Sequence, residues 1–207
     1  MSYSATQYRD RACSLVHSDP SAALTLARQI TDPWFACQAL AWVGRFWLSD
    51  DFEAVINEAF EIGRKCDDPY QVVASAAWPV RALIERGASG QISTIVLPLL
   101  ALANEVENLG SRSEALFLLF QATEPGSQTE WLPVLEELVR ASFPTLHWRQ
   151  RRNLREAILI VANEESGLAN DILRRLPEGK LRSHIEKKLR TLDPASAHPY
   201  PRPFFWK

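Results

Sequence analysis

The sequence predicts an all-α fold, a right-handed α-α superhelix of about five helical pairs, on three observations. Apolar residues recur along nearly the whole chain at helical spacing rather than in strand alternation. The breaks between periodic stretches are short, polar and rich in capping residues. The punctuation also repeats: Asp32-Pro33 returns 36 residues later as Asp68-Pro69, and at the same offset Trp42 falls on Trp78. A period of this size is that of stacked helix pairs.

The elements follow in order. Asp19-Pro20, Asp32-Pro33 and Asp68-Pro69 each place a carboxylate at an N-cap before a proline. The carboxylate accepts from a backbone N–H, and the proline's missing N–H is harmless at the first helical position. From Pro33 to Leu48 the residues Trp34, Phe35, Leu40, Trp42, Val43, Phe46, Trp47 and Leu48 spread around most of a helix circumference, which predicts a helix sandwiched between neighbours. Asp51 to Lys65 instead sorts Phe52, Val55, Ile56, Ala59, Phe60 and Gly63 onto one face and charged residues onto the other. Pro79 lies inside the next helix, and Gly87-Ala88-Ser89-Gly90 reads as a turn with Gly87 at C′ and Ser89 as the following cap. Second helices are expected over Ser89 to Asn108 and Gln128 to Ala141, which share Leu-Pro-x-Leu at Leu97 and Leu132. First helices are marked by Ser75 to Trp78, matching Ala115 to Leu118 at an offset of 40, and by Ala115-Leu116, matching Asn153-Leu154 at 38. End repeats are expected to be atypical, since they must present a polar cap.

Composition bounds the class. The 207 residues are 46% hydrophobic and 23% charged, a balance that excludes collagen-like, disordered and disulfide-scaffold chains. No basic segment followed by an apolar run opens the chain, and the apolar stretch from Ile92 to Ala103 is too short to span a bilayer, so a cytoplasmic protein without a membrane segment is expected. Cys13, Cys37 and Cys66 have no metal or redox spacing and read as small buried hydrophobes. The net charge of -2 conceals an acidic body and a basic C-terminal third: residues 1–146 carry 10 Arg and Lys against 18 Asp and Glu, whereas residues 147–207 carry 13 against 7.

The Asp-Pro start, the Ala- and Leu-rich helix, the Gly or Asp-Asp turn and the amphipathic second helix together resemble degenerate HEAT and tetratricopeptide-like repeats over residues 18–190. Pro79 resembles the kinking proline of HEAT first helices. The resemblance implies a scaffold presenting one extended curved surface, and it implies no catalytic residues.

The search for chemistry returns little that requires an enzyme. The four histidines are dispersed, no Gly-rich phosphate loop follows a strand, and no Gly-x-Ser-x-Gly is present. Carboxylate pairs such as Asp50-Asp51 and Glu136-Glu137 are explained by capping and solvated helix faces. No cofactor or metal is expected. The local features that stand out are the repeat-equivalent Trp42 and Trp78 with Arg45 nearby, the basic stretch containing Trp148, Arg149 and Arg152, and the tail. Trp42 and Trp78 suit either the inter-repeat core or an aromatic strip along a groove.

Two units are expected, a solenoid over residues 1–191 and a tail over 192–207. The tail holds Pro194, Pro199, Pro201 and Pro203 and ends in aromatics, with Tyr200, Phe204, Phe205 and Trp206. Proline favours an extended form there, and the aromatic cluster predicts a docking site on the same solenoid, on a second copy in a tail-mediated homodimer, or on a partner. The expected function is a non-catalytic protein–protein interaction module contacting its partner through Trp42, Arg45, Trp78, Trp148, Arg149, Arg152, Tyr200, Phe204, Phe205 and Trp206. The alternative is nucleic-acid binding by the Arg149–Arg155 stretch, where clustered arginines on a concave face would favour it and arginines paired to carboxylates would oppose it.

Overall fold

A computed structural model describes residues 4–143 and 147–191. Among them are eleven α-helices and no strand: α1 (Ala5–Leu15), α2 (Pro20–Arg28), α3 (Pro33–Phe46), α4 (Phe52–Gly63), α5 (Pro69–Glu85), α6 (Ile92–Ala103), α7 (Leu109–Thr123), α8 (Gln128–Ser142), α9 (Trp148–Glu164), α10 (Ser166–Arg175) and α11 (Lys180–Arg190). The residues 192–207 expected to form the tail lie outside the described residues.

Local chemistry sets the starts. Asp19 accepts from the Ala22 N–H at 2.9 Å, Asp32 from Trp34 at 2.9 Å and Asp68 from Gln71 at 2.9 Å, so all three Asp-Pro pairs cap helices as expected. Gly87 adopts φ +73° after α5, the left-handed conformation that glycine tolerates best. The chain then makes a 3-10 turn, Ser89–Gln91, and Gln91 rather than Ser89 occupies the N-cap of α6. Pro79, Pro98 and Pro133 all lie within helices. Two buried or half-buried side chains fasten successive elements: Arg112 of α7 donates to the carbonyls of Asn104 and Val106 at 2.7 and 2.9 Å, and Gln150 of α9 donates to the Ala141 carbonyl at 2.9 Å.

Packing orders the helices into two rows. In the first row α1, α3, α5, α7, α9 and α11 each contact the next, so the row is continuous from end to end. Each of α2, α4, α6, α8 and α10 packs against the first-row helix before it, giving five pairs with α11 as an additional closing helix. The helices of the repeated part start at Pro33, Pro69, Leu109 and Trp148, intervals of 36, 40 and 39 residues. Burial matches this arrangement. Between flanking row mates and a second-row partner, α5 buries Val73 to Val80 without interruption and α7 buries Ala115 to Thr123. The amphipathic α4 keeps Val55, Ile56, Ala59, Phe60 and Gly63 buried and turns its charged side outward.

One expectation fails locally. Helix α3 stops at Phe46, because Trp47 turns into extended backbone and its indole N–H bonds Asp51 Oδ1 at 2.8 Å. Leu48 is therefore 86% exposed rather than part of the buried circumference.

Close approach within the pair α3 and α4 depends on two glycines. A Cβ on Gly44 would sit 2.6 Å from Cγ1 of the buried Ile56, and one on Gly63 would meet Cys37 Sγ at 3.0 Å and Ser75 Oγ at 3.1 Å. Replacing Gly44→Val is expected to lower unfolding free energy by about 2–3 kcal/mol in denaturant titrations, since Ile56 has no room to yield. Gly90→Ala, where nothing lies within 4 Å, is the control and should shift stability by less than about 0.5 kcal/mol.

Candidate functional site

The repeat register places the candidate side chains at equivalent positions of the first row. Counted from the helix starts, Trp42 and Trp78 are the tenth residues of α3 and α5. Arg45, Arg81 and Gln121 are the thirteenth residues of α3, α5 and α7. On α3, Cys37 and Gly44 face the second row, and at 100° per residue Gln38, Trp42 and Arg45 lie on a different side, turned away from α4.

Along this side the tryptophans touch. Their rings meet edge to face with centroids 6.4 Å apart, and Trp42 makes a second such contact with Phe46 at 5.2 Å. Trp78 is buried, while Trp42 is half-buried and donates its indole N–H to the Cys13 carbonyl of α1 at 3.2 Å. They thus form inter-repeat packing and a strip along the row together.

Arg45 covers the strip. Its guanidinium lies 5.1 Å from the Trp42 ring centroid and 4.9 Å from that of Phe46. It also pairs with Glu85 of α5, the two side chains being 17% and 20% exposed. The other oxygen of Glu85 is 2.5 Å from Arg81 Nε, and Arg81 reaches across to donate to the Gln121 carbonyl of α7 at 3.0 Å. One relay of charge therefore joins three first-row helices. Burial pushes the Arg45 guanidinium below its usual range, Glu85 opposes that shift, and the neighbouring Arg81 adds to it.

A second cluster occupies the α7 and α9 end. Trp148 is 58% exposed and stands at the start of α9, with Arg149 and Arg152 over its ring at 5.3 and 5.6 Å. Arg152 extends to Glu114 of α7 at 2.5 Å, and the buried Asn153 donates to the same carboxylate at 3.0 Å and to Ser113 Oγ at 3.3 Å. Towards the first cluster, Tyr70 of α5 stacks on Trp34 of α3 with centroids 6.2 Å apart. Burial raises the Tyr70 hydroxyl above its usual range, Glu114 raises it further, and Arg149 lowers it. Between α9 and α11, a depression of about 500 Å³ is lined by Trp148, Arg151, Arg152, Arg155, Lys180, Leu181 and His184.

The structure thus brings Trp42, Arg45 and Trp78 into one contact set, and Trp148, Arg149 and Arg152 into another. Tyr200, Phe204, Phe205 and Trp206 lie outside the described residues. Sequence reasoning missed Arg81, Gln121, Glu85 and Glu114. The signal for the first two was present, because Arg45 meets Arg81 at the same offset of 36 that joins Trp42 to Trp78, and Arg81 meets Gln121 at the offset of 40 that joins Trp78 to Leu118. Within the basic stretch, Arg152 and Arg155 both have carboxylate partners, Glu114 and, at 3.6 Å, Glu156.

Burial acts on the cysteine thiols. Cys37 is fully buried and its thiol is pushed up to about 12, and burial likewise pushes Cys13 up to about 12. Such thiols hold little thiolate near neutrality. Among the described residues no group of three or more His, Cys, Asp or Glu is placed to hold a metal ion, and no helix is long and apolar enough to cross a membrane.

The relay makes Glu85 a point of failure. Glu85→Gln leaves two half-buried guanidiniums facing one another across α3 and α5, and thermal or chemical unfolding should show a loss of about 1–2 kcal/mol. In a double-mutant cycle with Arg45→Gln, the coupling should be about 0.5–2 kcal/mol. Additivity of the two changes would remove the relay as an energetic unit.

Compared with models of known protein families, with curated proteins and with solved structures, the chain finds no match.

Proposed function

We propose that the chain is a non-catalytic adaptor, a right-handed superhelix of HEAT- or tetratricopeptide-like pairs that holds an extended segment of a protein partner along the first row. The observation that carries this reading is the repeated side-chain register: aromatic and ionic groups recur at equivalent positions of successive helices and meet along one side. A row that packs without interruption lies on the inside of a curved two-row stack, since the loosely joined second row takes the longer path. Its side turned away from the second row is then a groove.

The chemistry of the groove suits a polypeptide. A half-buried tryptophan under an arginine, as Trp42 is, belongs to the residue types that dominate binding energy at protein interfaces. Arginines and carboxylates supply orientation and arrival rate more than affinity. A cytoplasmic setting, where thiols stay reduced, fits the three unpaired cysteines.

The second reading, nucleic-acid binding, is favoured by one observation, the basic depression of Arg151, Arg152, Arg155, Lys180 and His184 beside Trp148. The carboxylate partners of Arg152 and Arg155 weigh against it, because each neutralises a charge that a phosphate would need.

Trp148 and Arg149 provide the test, since truncating an exposed side chain leaves the fold nearly unchanged. In affinity purification from the native cell, the full chain should retain a protein partner, and Trp148→Ala with Arg149→Ala should reduce that retention at least tenfold while the melting temperature stays the same. Equal retention by both proteins would overturn the adaptor reading at this end of the row. Nuclease-sensitive capture that falls steeply with salt would establish the second reading instead.

A further inference from the structure

We propose that the cavity between α4 and α6 is a binding site for a small neutral molecule, a hydrocarbon chain or ring system carrying one hydrogen-bond donor such as a hydroxyl. The site lies on the second-row side of α5, apart from the aromatic and ionic groups of the first row, and does not depend on the adaptor reading.

Helix α6 is unlike its neighbours. Ile92–Ala103 holds no charged residue, which is true of no other described helix. Only Ile92, Val96 and Ala103 are buried, while Ile95, Leu99 and Leu102 share one face and are half-buried. A second-row helix is expected to meet water with polar residues, as α4 does. Here that apolar face of α6 looks into a cavity instead.

The cavity measures about 370 Å³, within the range of about 300–1,000 Å³ that ligand sites occupy. Ile95, Leu99 and Leu102 face Phe60 of α4 and Val72 of α5 across it, and the buried Cys37 of α3 lines its first-row side. The charged side chain of the lining, Arg64, is exposed and pairs with Glu61, which is not part of the lining, so its charge stays in water at the rim. The depression between α6, α8 and α10 differs: its lining includes Glu136, Glu137, Arg140 and Arg175 beside apolar side chains, and water satisfies such groups. Water finds few partners in the cavity between α4 and α6, and apolar cavities accept apolar guests in its place.

One polar group is presented there. Pro98 lies inside α6 and has no N–H, so the carbonyl of Thr94, one turn earlier, lacks its usual helical donor. Thr94 and Pro98 both line the cavity, which puts that carbonyl on the same face of the helix. A carbonyl accepts and cannot donate, so the complementary ligand group is a hydroxyl or an amine N–H. A carboxylate would meet it with like polarity, and Arg64 is already answered by Glu61.

The test is a titration of the full chain with N-phenyl-1-naphthylamine, a neutral aromatic amine with a single N–H, whose fluorescence rises in apolar surroundings. Saturable binding is expected, and 1-decanol should displace the dye at a concentration about tenfold lower than decanoate, because the carboxylate loses hydration that the cavity does not replace. Leu99→Trp, which fills the cavity, should weaken dye binding about tenfold or more. Leu97→Ala, at a side chain that is 61% exposed and outside the lining, should leave binding unchanged. Thr94→Trp, at the exposed mouth, should block the site as well, and it is read in place of Leu99→Trp if that variant melts at a lower temperature than the unaltered chain. Absence of saturable binding would overturn the proposal, as would displacement by decanoate as effective as that by decanol. A loss of binding in Leu97→Ala equal to that in the filling variant would place the dye on the outer face of α6 and overturn it too. Dye binding that is lost as protein concentration rises and chains associate would replace the small ligand with a second copy as the occupant.

Discussion

Unbroken contact along the first row is the constraint from which the rest of the structure follows. A helix flanked by two row mates and backed by a second-row partner has few directions left for polar groups, so α5 and α7 are apolar nearly all round. Where polar side chains enter the row they must find partners there, as Gln38 does with Arg9 of α1 at 2.9 Å and Asn153 does with Glu114. The second row bears no such burden. Its helices touch their first-row partners and, for the most part, not one another, which is why α4 has a clean wet face and α3 does not.

What the sequence disclosed divides along the same line. Caps are local, and Asp-Pro reports a helix start wherever the chain goes; α2, α3 and α5 begin as expected. The wet face of α4 was legible for the same reason, since one helix's own periodicity contains it. The end of α3 was not legible, because it depends on Trp47 bonding Asp51 across the turn, and hydrophobicity alone keeps Leu48 inside. Glu85 was invisible for a different reason. It is the seventeenth residue of α5, beyond the length of the flanking α3 and α7, so neither helix beside it has an equivalent position to point to it. Its role arises only when α3 and α5 lie side by side.

Electrostatics shows how an asymmetry of composition becomes an arrangement. The acidic body and basic C-terminal third meet at α7 and α9, where Glu114 accepts from both Arg152 and Asn153. Part of the polarity along the chain is thereby consumed in joining its halves. The rest stays at the surface of α9 and α11, where Arg151 and Lys180 line the depression beside Trp148. Fixed charges of this kind act on approach and orientation over about a Debye length, and their effect fades as salt rises.

The relay of Arg45, Glu85 and Arg81 is a weak device for stability and a strong one for register. Ion pairs that are largely withdrawn from water recover little net free energy, because desolvation offsets most of the attraction, and apolar residues of the same volume would hold α3 against α5 as well or better. Apolar residues would also permit sliding, whereas a carboxylate held by a guanidinium on each side admits one registry of the two helices. That registry sets the Trp42 and Trp78 rings edge to face and places Arg45 over Trp42. On the proposed reading of the row as a groove for an extended segment, this spacing would matter more than tight packing, since successive side chains of a bound segment must all find their contacts at once.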